Sequence, residues 1–411
     1  MVDDALRAWI GRCFMRSTHD NSMQQQKTDD VLRADLVLLA NTEQQYRTQI
    51  GPQLNHIGYD LIKVGAVAPL DNTTIPQSTR QSVTAQLQDP GNDRPMLVGT
   101  MDPVGSAASI EYVNWSQIDM PNGPPLWALI DGASWPEASA LVAQTAEQST
   151  CLYASADPQS QAIAPWLVKI DHGSEMAAII QQRPHGTHSH ILFHSTWSLS
   201  DLRQHFRKFT MVWTPANAEA PSYFRFYDPR VLADVTKALV PDSIEQLLLA
   251  TTEVFLPSSP FVMIEEPLAN DWTVDHASSF VRVASGAKER DPRRARSFRV
   301  SQPEFNRLTA FQQKRARLSL AHKLAPDYPG KKMPDIAAAV VHAHKTGQAY
   351  RMVSHKQINT LARCTLELGL QFPDAYPDAI QVLANGKTKP WRKRDLIDDW
   401  LEGQKSPKVH Q

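Results

Sequence analysis

Short apolar runs dominate the first two thirds of the chain, and helical periodicity dominates the last third. The run "LWALI" at 126–130 has the length and continuous apolar character of a buried strand. From residue 301 onward, apolar side chains recur as on one face of a helix. The pattern predicts an α+β protein. A mixed α/β domain is expected at 111–265, after a small α/β unit at 31–110 and before an all-helical domain at 301–411.

Several helix ends are marked by their own residues. Asp228-Pro229 predicts a helix start, with aspartate as N-cap and proline at the first helical position. Ser354 with Gln357 three residues later has the spacing of a capping box, and Gly369 is a typical end for that helix. The helix before it is expected to stop at Gly347.

Two segments are expected to lie outside the folded domains. Residues 1–30 begin with a short amphipathic pattern and end in the polar stretch "NSMQQQKTDD", which predicts a flexible N-terminus. Residues 266–300 are predicted to be a basic linker. Within them, the stretch 284–299 carries one lysine and five arginines against one glutamate and one aspartate.

Composition narrows the class of protein. With 42% hydrophobic and 21% charged residues, the chain of 411 residues is globular rather than disordered. Its 42 basic and 43 acidic residues nearly cancel, so net charge favours neither nucleic acid nor membrane as a partner. The three cysteines, Cys13, Cys151 and Cys364, are far apart and favour a reducing compartment. No signal peptide or span-length apolar run is seen, so we expect a soluble, cytoplasmic protein.

Four histidines crowd the stretch "RPHGTHSHILFH" at 183–194, which raises the question of a metal site. On a strand, His190 and His194 share a face but stand ~13 Å apart, at about 3.3 Å per residue. That gap is too wide for one ion with metal–nitrogen bonds of ~2.0–2.1 Å. His188 and His190 would reach one ion only with ligands from elsewhere. We therefore expect no metal and no cofactor; a metal-dependent hydrolase using the histidine-rich loop 185–194 is an alternative.

Other enzyme signatures fail as well. "ANGKTK" contains Gly386-Lys387-Thr388, but the glycine that a phosphate-binding loop needs five residues earlier is Gln381. The chain has no G-x-S-x-G nucleophile elbow. No catalytic residue is predicted, and the protein is expected not to be an enzyme. A second alternative is a regulator that binds nucleic acid through 288–299, although that run lacks the interleaved aromatics of such surfaces.

The densest aromatic and charged cluster is "SYFRFYDPRVL" at 222–232. On a strand, Tyr223, Arg225 and Tyr227 face one way, and Phe224 and Phe226 face the other. The first face then presents two phenols and a guanidinium, which suit a carboxylate or the carbonyls of a bound segment.

The role of the arginines in this cluster is open. Arg225 and Arg230 either anchor a partner or pair internally with Asp228 or Asp131. In the same way, Trp127 and Trp166 lie on neighbouring apolar segments, where they either wall a cleft or belong to the core.

Four segments carry a resemblance to a known family: "WALIDGA" (127–133), "LYASADPQSQAIAPWLV" (152–168), "HILFHSTWSLSDLRQHFRKF" (190–209) and "FRFYDPRVL" (224–232). In this order they resemble the adaptor-chaperone family of bacterial type VI secretion, which loads toxic effectors onto the spike. The helical tail is also similar to the region that follows this domain in such adaptors. The chain departs from the family at Ser189 and His190, where relatives usually have an aromatic residue and a glycine.

The resemblance implies a non-enzymatic cytosolic adaptor that binds the N-terminal segment of an effector and presents it to the spike-tip VgrG protein. Nucleic acid and a membrane span are not expected, and the oligomeric state is not predicted. We expect the cargo to bind near the helix start at Asp228, whose free amides attract acceptor groups. The predicted cargo-binding residues are Tyr223, Arg225, Tyr227, Asp228, Arg230, Trp127, Asp131 and Trp166.

Overall fold

A computed structural model describes residues 6–18, 31–73, 75–88, 96–99, 101–104, 111–153, 157–262, 279–284 and 298–405. They fall into two compact units. The first takes in the described residues up to Val262 together with 279–284 and 298–309, and the second takes in 310–405. The first unit has two large sheets, a two-stranded hairpin and covering helices, and the second has helices, so the α+β class is confirmed.

The first sheet is antiparallel and has strand order β3-β1-β2-β4, with β5 also paired to β2. Its strands are β1 (Arg7–Ser17), β2 (Val31–Ala40), β3 (Tyr59–Pro69), β4 (Met96–Val98) and β5 (Asp102–Val104). Helix α1 (Glu43–His56) packs Tyr46, Ile50 and Leu54 onto one face, and α2 (Gln77–Gln88) follows β3. Alternation along each strand places one set of side chains in this core.

The prediction of a flexible terminus over 1–30 is wrong for residues 7–17. They form β1, which lies between β2 and β3, and Cys13, Phe14 and Met15 are fully buried. Arginines on the outer face, such as Arg12 paired with Asp35, interrupt the apolar pattern and hide the strand in the sequence. Residues 19–30 lie outside the described part of the chain.

The second sheet has seven antiparallel strands in the order β6-β14-β13-β10-β7-β9-β8. They are β6 (Glu111–Val113), β7 (Leu126–Asp131), β8 (Ser149–Cys151), β9 (Pro165–Ile170), β10 (His190–His194), β13 (Glu253–Pro257) and β14 (Phe280–Ala284). A separate hairpin pairs β11 (Met211–Thr214) with β12 (Asn217–Tyr223). The intervening helices are α3 (Trp115–Ile118), α4 (Ala138–Thr145), α5 (Pro158–Ile163), α6 (Glu175–Gln182), α7 (Leu199–Arg207), α8 (Pro229–Ala238) and α9 (Pro241–Leu248).

Both faces of β7 are covered, and all six of its residues are buried. Leu126, Ala128 and Ile130 pack in one core with residues of α4 and α6. The opposite face adjoins an aromatic cluster in which the Phe193 and Phe206 rings lie 5.3 Å apart and the Phe206 and Phe226 rings 5.6 Å apart. This cluster attaches the chain around Phe226 to the sheet.

The predicted basic linker at 266–300 is wrong at both places where the structure describes it. Strand β14 pairs with β13 and β6, and Phe280 is buried. Phe298 is buried too, and its carbonyl accepts a hydrogen bond from the Trp213 amide at 3.1 Å. The alternation in "FVRVA" is only five residues long, so the charge run beside it is the stronger sequence signal. That basic run, 285–297, lies outside the described residues.

The remaining helices are α10 (Gln302–Leu324), α11 (Met333–Tyr350), α12 (His355–Leu368), α13 (Pro377–Ala384) and α14 (Pro390–Lys405). The capping box of Ser354 and Gln357 is confirmed, as is the end of α12 at Gly369. The predicted stop at Gly347 is wrong, because α11 continues to Tyr350. Gly347 is instead a close-approach position, where a Cβ atom would collide with the Met352 carbonyl. Among the described helices, none combines the length and apolar character that crossing a membrane requires.

Candidate functional site

The predicted strand through "SYFRFYD" ends early. β12 stops at Tyr223, and the chain then turns into α8, with the Asp228 amide donating to the Arg225 carbonyl at 3.0 Å. The strand ends here because Asp228 caps α8 and therefore cannot continue the strand. Phe224 and Phe226 still share the aromatic cluster. The prediction that Tyr223, Arg225 and Tyr227 face one way holds only in part, because the Tyr223 side chain is 76% exposed and that of Tyr227 only 3%.

Arg225 forms an ion pair with Asp131. Asp131 ends β7, is fully buried, and also accepts from the Ala133 amide at 3.1 Å and the Ser134 hydroxyl at 2.8 Å. Burial alone would lower the pKa of Arg225, but the Asp131 carboxylate outweighs it and raises that pKa. The guanidinium is therefore charged and held across the end of β7.

Arg230 is paired in the same manner with Asp228, the N-cap of α8. Its Nε and Nη2 donate to the two carboxylate oxygens at 3.0 and 2.7 Å, and its amide donates to Oδ1 at 2.9 Å. Burial would raise the pKa of Asp228, but the hydrogen bonds and charge of Arg230 lower it. For both arginines, the geometry is that of the internal-pairing alternative.

Three tyrosines complete the surface beside Arg225. The rings of Tyr153 and Tyr223 lie 6.4 Å apart, and the hydroxyls of Tyr153 and Tyr227 are 3.5 Å apart. Burial, followed by the contact with Tyr153, raises the pKa of Tyr227, so that phenol is neutral. We call Tyr153, Tyr223, Arg225 and Tyr227 the Tyr–Arg patch.

Tyr153 is the member that sequence reasoning missed. It follows β8, 70 residues before Tyr223 along the chain. A tyrosine after a three-residue edge strand carries no local signal of function. Only the segment "LYASADP", which contributes to the family resemblance, singles out its neighbourhood.

The two tryptophans do not join this patch. Trp127 is buried and donates its indole N–H to the Ser195 carbonyl at 3.2 Å. Trp166 is partly buried and packs in the core on the Ile130 side of the sheet, while Asp131 projects from the other side. Neither side chain therefore forms the wall of a cleft at Arg225.

The four clustered histidines are all buried, and the rings of His185 and His190 both lie beside the Phe280 ring, at centroid distances of 4.6 and 6.5 Å. His194 meets Glu253 at 3.1 Å and the Ile118 carbonyl at 3.0 Å, while His188 meets the Ser259 hydroxyl at 2.9 Å. Burial lowers the pKa of His190 to about 3. Across the residues that the structure describes, no group of three or more His, Cys, Asp or Glu side chains is placed to hold a metal ion.

One family model matches the chain, over residues 126–246, and its description is "Domain of unknown function (DUF4123)". The match runs from the first residue of β7 into α9 and includes the whole Tyr–Arg patch. This domain is associated with adaptor function in type VI secretion. It covers less than a third of the chain. No curated protein matches the chain, and no solved structure does.

Proposed function

We propose that the protein is a cytoplasmic adaptor that binds the N-terminal segment of a type VI secretion effector and loads it onto the spike-tip VgrG protein. The family match over 126–246 carries this proposal, because it coincides with the domain that contains every predicted cargo-binding residue. In this proposal the protein performs no catalysis and uses no cofactor.

The cargo contact is placed on the exposed side of the Tyr–Arg patch. Tyr223 is 76% exposed, and the Tyr153 ring beside it extends the aromatic surface. Tyrosine offers a large amphipathic contact with little loss of side-chain entropy, which suits it as an anchor for an extended segment. Arg225 has a structural role instead, because its ion pair with Asp131 holds the turn from β12 to α8 that positions Tyr223.

Co-purification with an effector encoded beside the gene tests the proposal. Tyr223→Ala is expected to weaken effector binding by about 2 kcal/mol or more, as the loss of an aromatic anchor does. The same change should alter the free energy of unfolding by no more than about 0.5 kcal/mol, because the side chain is exposed.

Met120→Ala is the matched control. Met120 is also a large, exposed side chain of the first unit, but it precedes the start of β7, whereas the patch lies at the end of that strand. Full effector retention by a Tyr153→Ala, Tyr223→Ala double variant would contradict the site. Failure of the wild-type chain to retain either the effector or the spike protein would contradict the function.

A further inference from the structure

One end of the helical unit gathers four helix termini. The Lys393 ammonium, in the first turns of α14, donates to the Tyr350 carbonyl at the end of α11 (3.3 Å) and to the Leu383 carbonyl near the end of α13. Helix α12 begins at His355, and only four residues separate it from the end of α11. The connecting segments 351–354 and 385–389 therefore lie at the same end of the unit.

This end carries positive charge without compensation. The segments 350–356 and 384–394 contain seven lysines and arginines and no aspartate or glutamate. Lys393 is buried against carbonyl oxygens, and Arg394 pairs with Asp395. The other five cations are exposed, and in the part of the chain that the structure describes none of them has a carboxylate partner. We call these five the basic end: Arg351, Lys356, Lys387, Lys389 and Arg392.

Two large apolar side chains are exposed among these cations. Trp391 is 56% exposed at the start of α14, and Val353 is 68% exposed in the connection before α12. Tryptophan and arginine are the residues that most often anchor protein interfaces. A surface that combines an exposed indole with unpaired cations suits an anionic partner that also has an apolar group.

The small size of the basic surface indicates which class of partner it binds. On α14 the acidic residues begin at Asp395, and Asp398, Asp399 and Glu402 follow. Asp395 is three residues beyond Arg392, or about 4.5 Å along the helix axis. A long nucleic acid needs a basic surface that continues along its backbone, whereas a short acidic segment needs only the basic end itself.

We propose that the basic end of the helical unit binds a short acidic protein segment that carries an apolar residue for Trp391. This inference goes beyond the proposed function and uses no residue of the Tyr–Arg patch. The carboxylates contact the cations of 351–356 and 387–392, and the apolar residue packs on the indole.

The test uses the full chain and a fluorescent peptide of a dozen residues, half of them glutamate, with one central phenylalanine. Fluorescence anisotropy at physiological salt should show binding. Lys387→Glu combined with Lys389→Glu should weaken it about tenfold or more, because each change replaces an attraction with a repulsion. Trp391→Ala should weaken it about fivefold or more and Trp391→Phe less, since the apolar contact is partly restored.

Lys331→Glu with Lys332→Glu is the matched control, since it makes the same charge change at exposed lysines of the same unit. This pair precedes α11, and the 18 residues of that helix set it about 27 Å from Arg351. At a Debye length of about 8 Å, the control should change binding by less than about twofold.

Three results would overturn the inference: no peptide binding by the wild type, equal losses from the two lysine pairs, or tighter binding of a single-stranded oligothymidine than of the peptide. The last result would assign the surface to nucleic acid. Tyr223→Ala should leave peptide binding intact, so failure here and failure of the proposed function are distinguishable.

Discussion

Two groups of cations, one in each unit, have opposite electrostatic settings. In the first unit, Arg225 lies on the fully buried Asp131, and Lys63 lies 3.2 Å from the fully buried Glu304. In the second unit, Lys393 meets only backbone carbonyls, and the exposed cations around it have no carboxylate partner among the described residues. Exposure alone therefore does not tell which cation is available to a partner. What decides this is whether a carboxylate pairs with the cation.

The difference separates cations that hold the fold from cations that are free to bind. Asp131 and Glu304 each collect several donors, so each organises a junction between segments that are distant in sequence. Carbonyl oxygens bind Lys393 without cancelling its charge. The net positive charge at that end is then presented to solvent. Substitutions in the first setting should therefore change the free energy of unfolding more than substitutions in the second.

The largest expected effect is at Glu304. Its carboxylate accepts from the Val240 amide at 3.1 Å and the Ser301 amide at 2.9 Å, in addition to Lys63. Glu304→Ala leaves these donors and the Lys63 charge without an acceptor, which should cost about 3–5 kcal/mol of unfolding free energy. Urea unfolding measures the loss, and Glu304→Gln should cost less because the amide keeps one acceptor. A loss below about 1 kcal/mol for the alanine variant would show that water accepts from these donors in place of the carboxylate.

Arg225→Ala should cost about 2–3 kcal/mol, because it leaves the Asp131 carboxylate buried with only two neutral donors. The expected loss is smaller than at Glu304, since the Arg225 side chain is itself partly exposed. Adding Asp131→Asn to the variant should recover part of the loss, as the unpaired charge is then gone. A double variant no more stable than Arg225→Ala would mean that the pair contributes little.

Acid should destabilise the fold through a buried base in the first unit. The pKa of His190 is lowered from 6.5 to about 3 by burial, so between these values the unfolded chain binds a proton that the folded chain does not. Stability from this group is therefore complete above pH 6.5 and is lost as pH falls, by about 2 kcal/mol between pH 7 and pH 5. His190→Gln should flatten the pH dependence of the unfolding free energy over that range. An unchanged slope would contradict the assignment.

The smallest effect is expected at the basic end. Lys387→Ala with Lys389→Ala removes two charges that have no partner among the described residues, so the free energy of unfolding should change by no more than about 0.5 kcal/mol. Relief of repulsion should make the sign neutral or slightly favourable. Thermal melting of this variant beside Arg225→Ala compares the two settings directly. A loss above 1 kcal/mol would show that these lysines hold the fold as Arg225 does.

Local chemistry made some elements predictable from the sequence. The starts of α8 at Asp228-Pro229 and of α12 at Ser354, and the buried run of β7, all occur where the sequence predicts them. The bonds that define these elements join residues a few positions apart, or depend on apolar content within one window. The α+β class follows from such elements, and so does the choice of 222–232 as the segment of interest.

The tertiary structure decided which residues meet. Arg225 finds Asp131, 94 residues away in sequence, rather than remaining open to a partner, and Tyr153 joins Tyr223 from a separate edge strand. β1 and β14 are strands because their neighbours in the sheets pair with them, although their own sequences are broken by charge or short. Ladder hydrogen bonds and buried ion pairs gain their energy from distant segments, so a local pattern carries too little of that energy to reveal them.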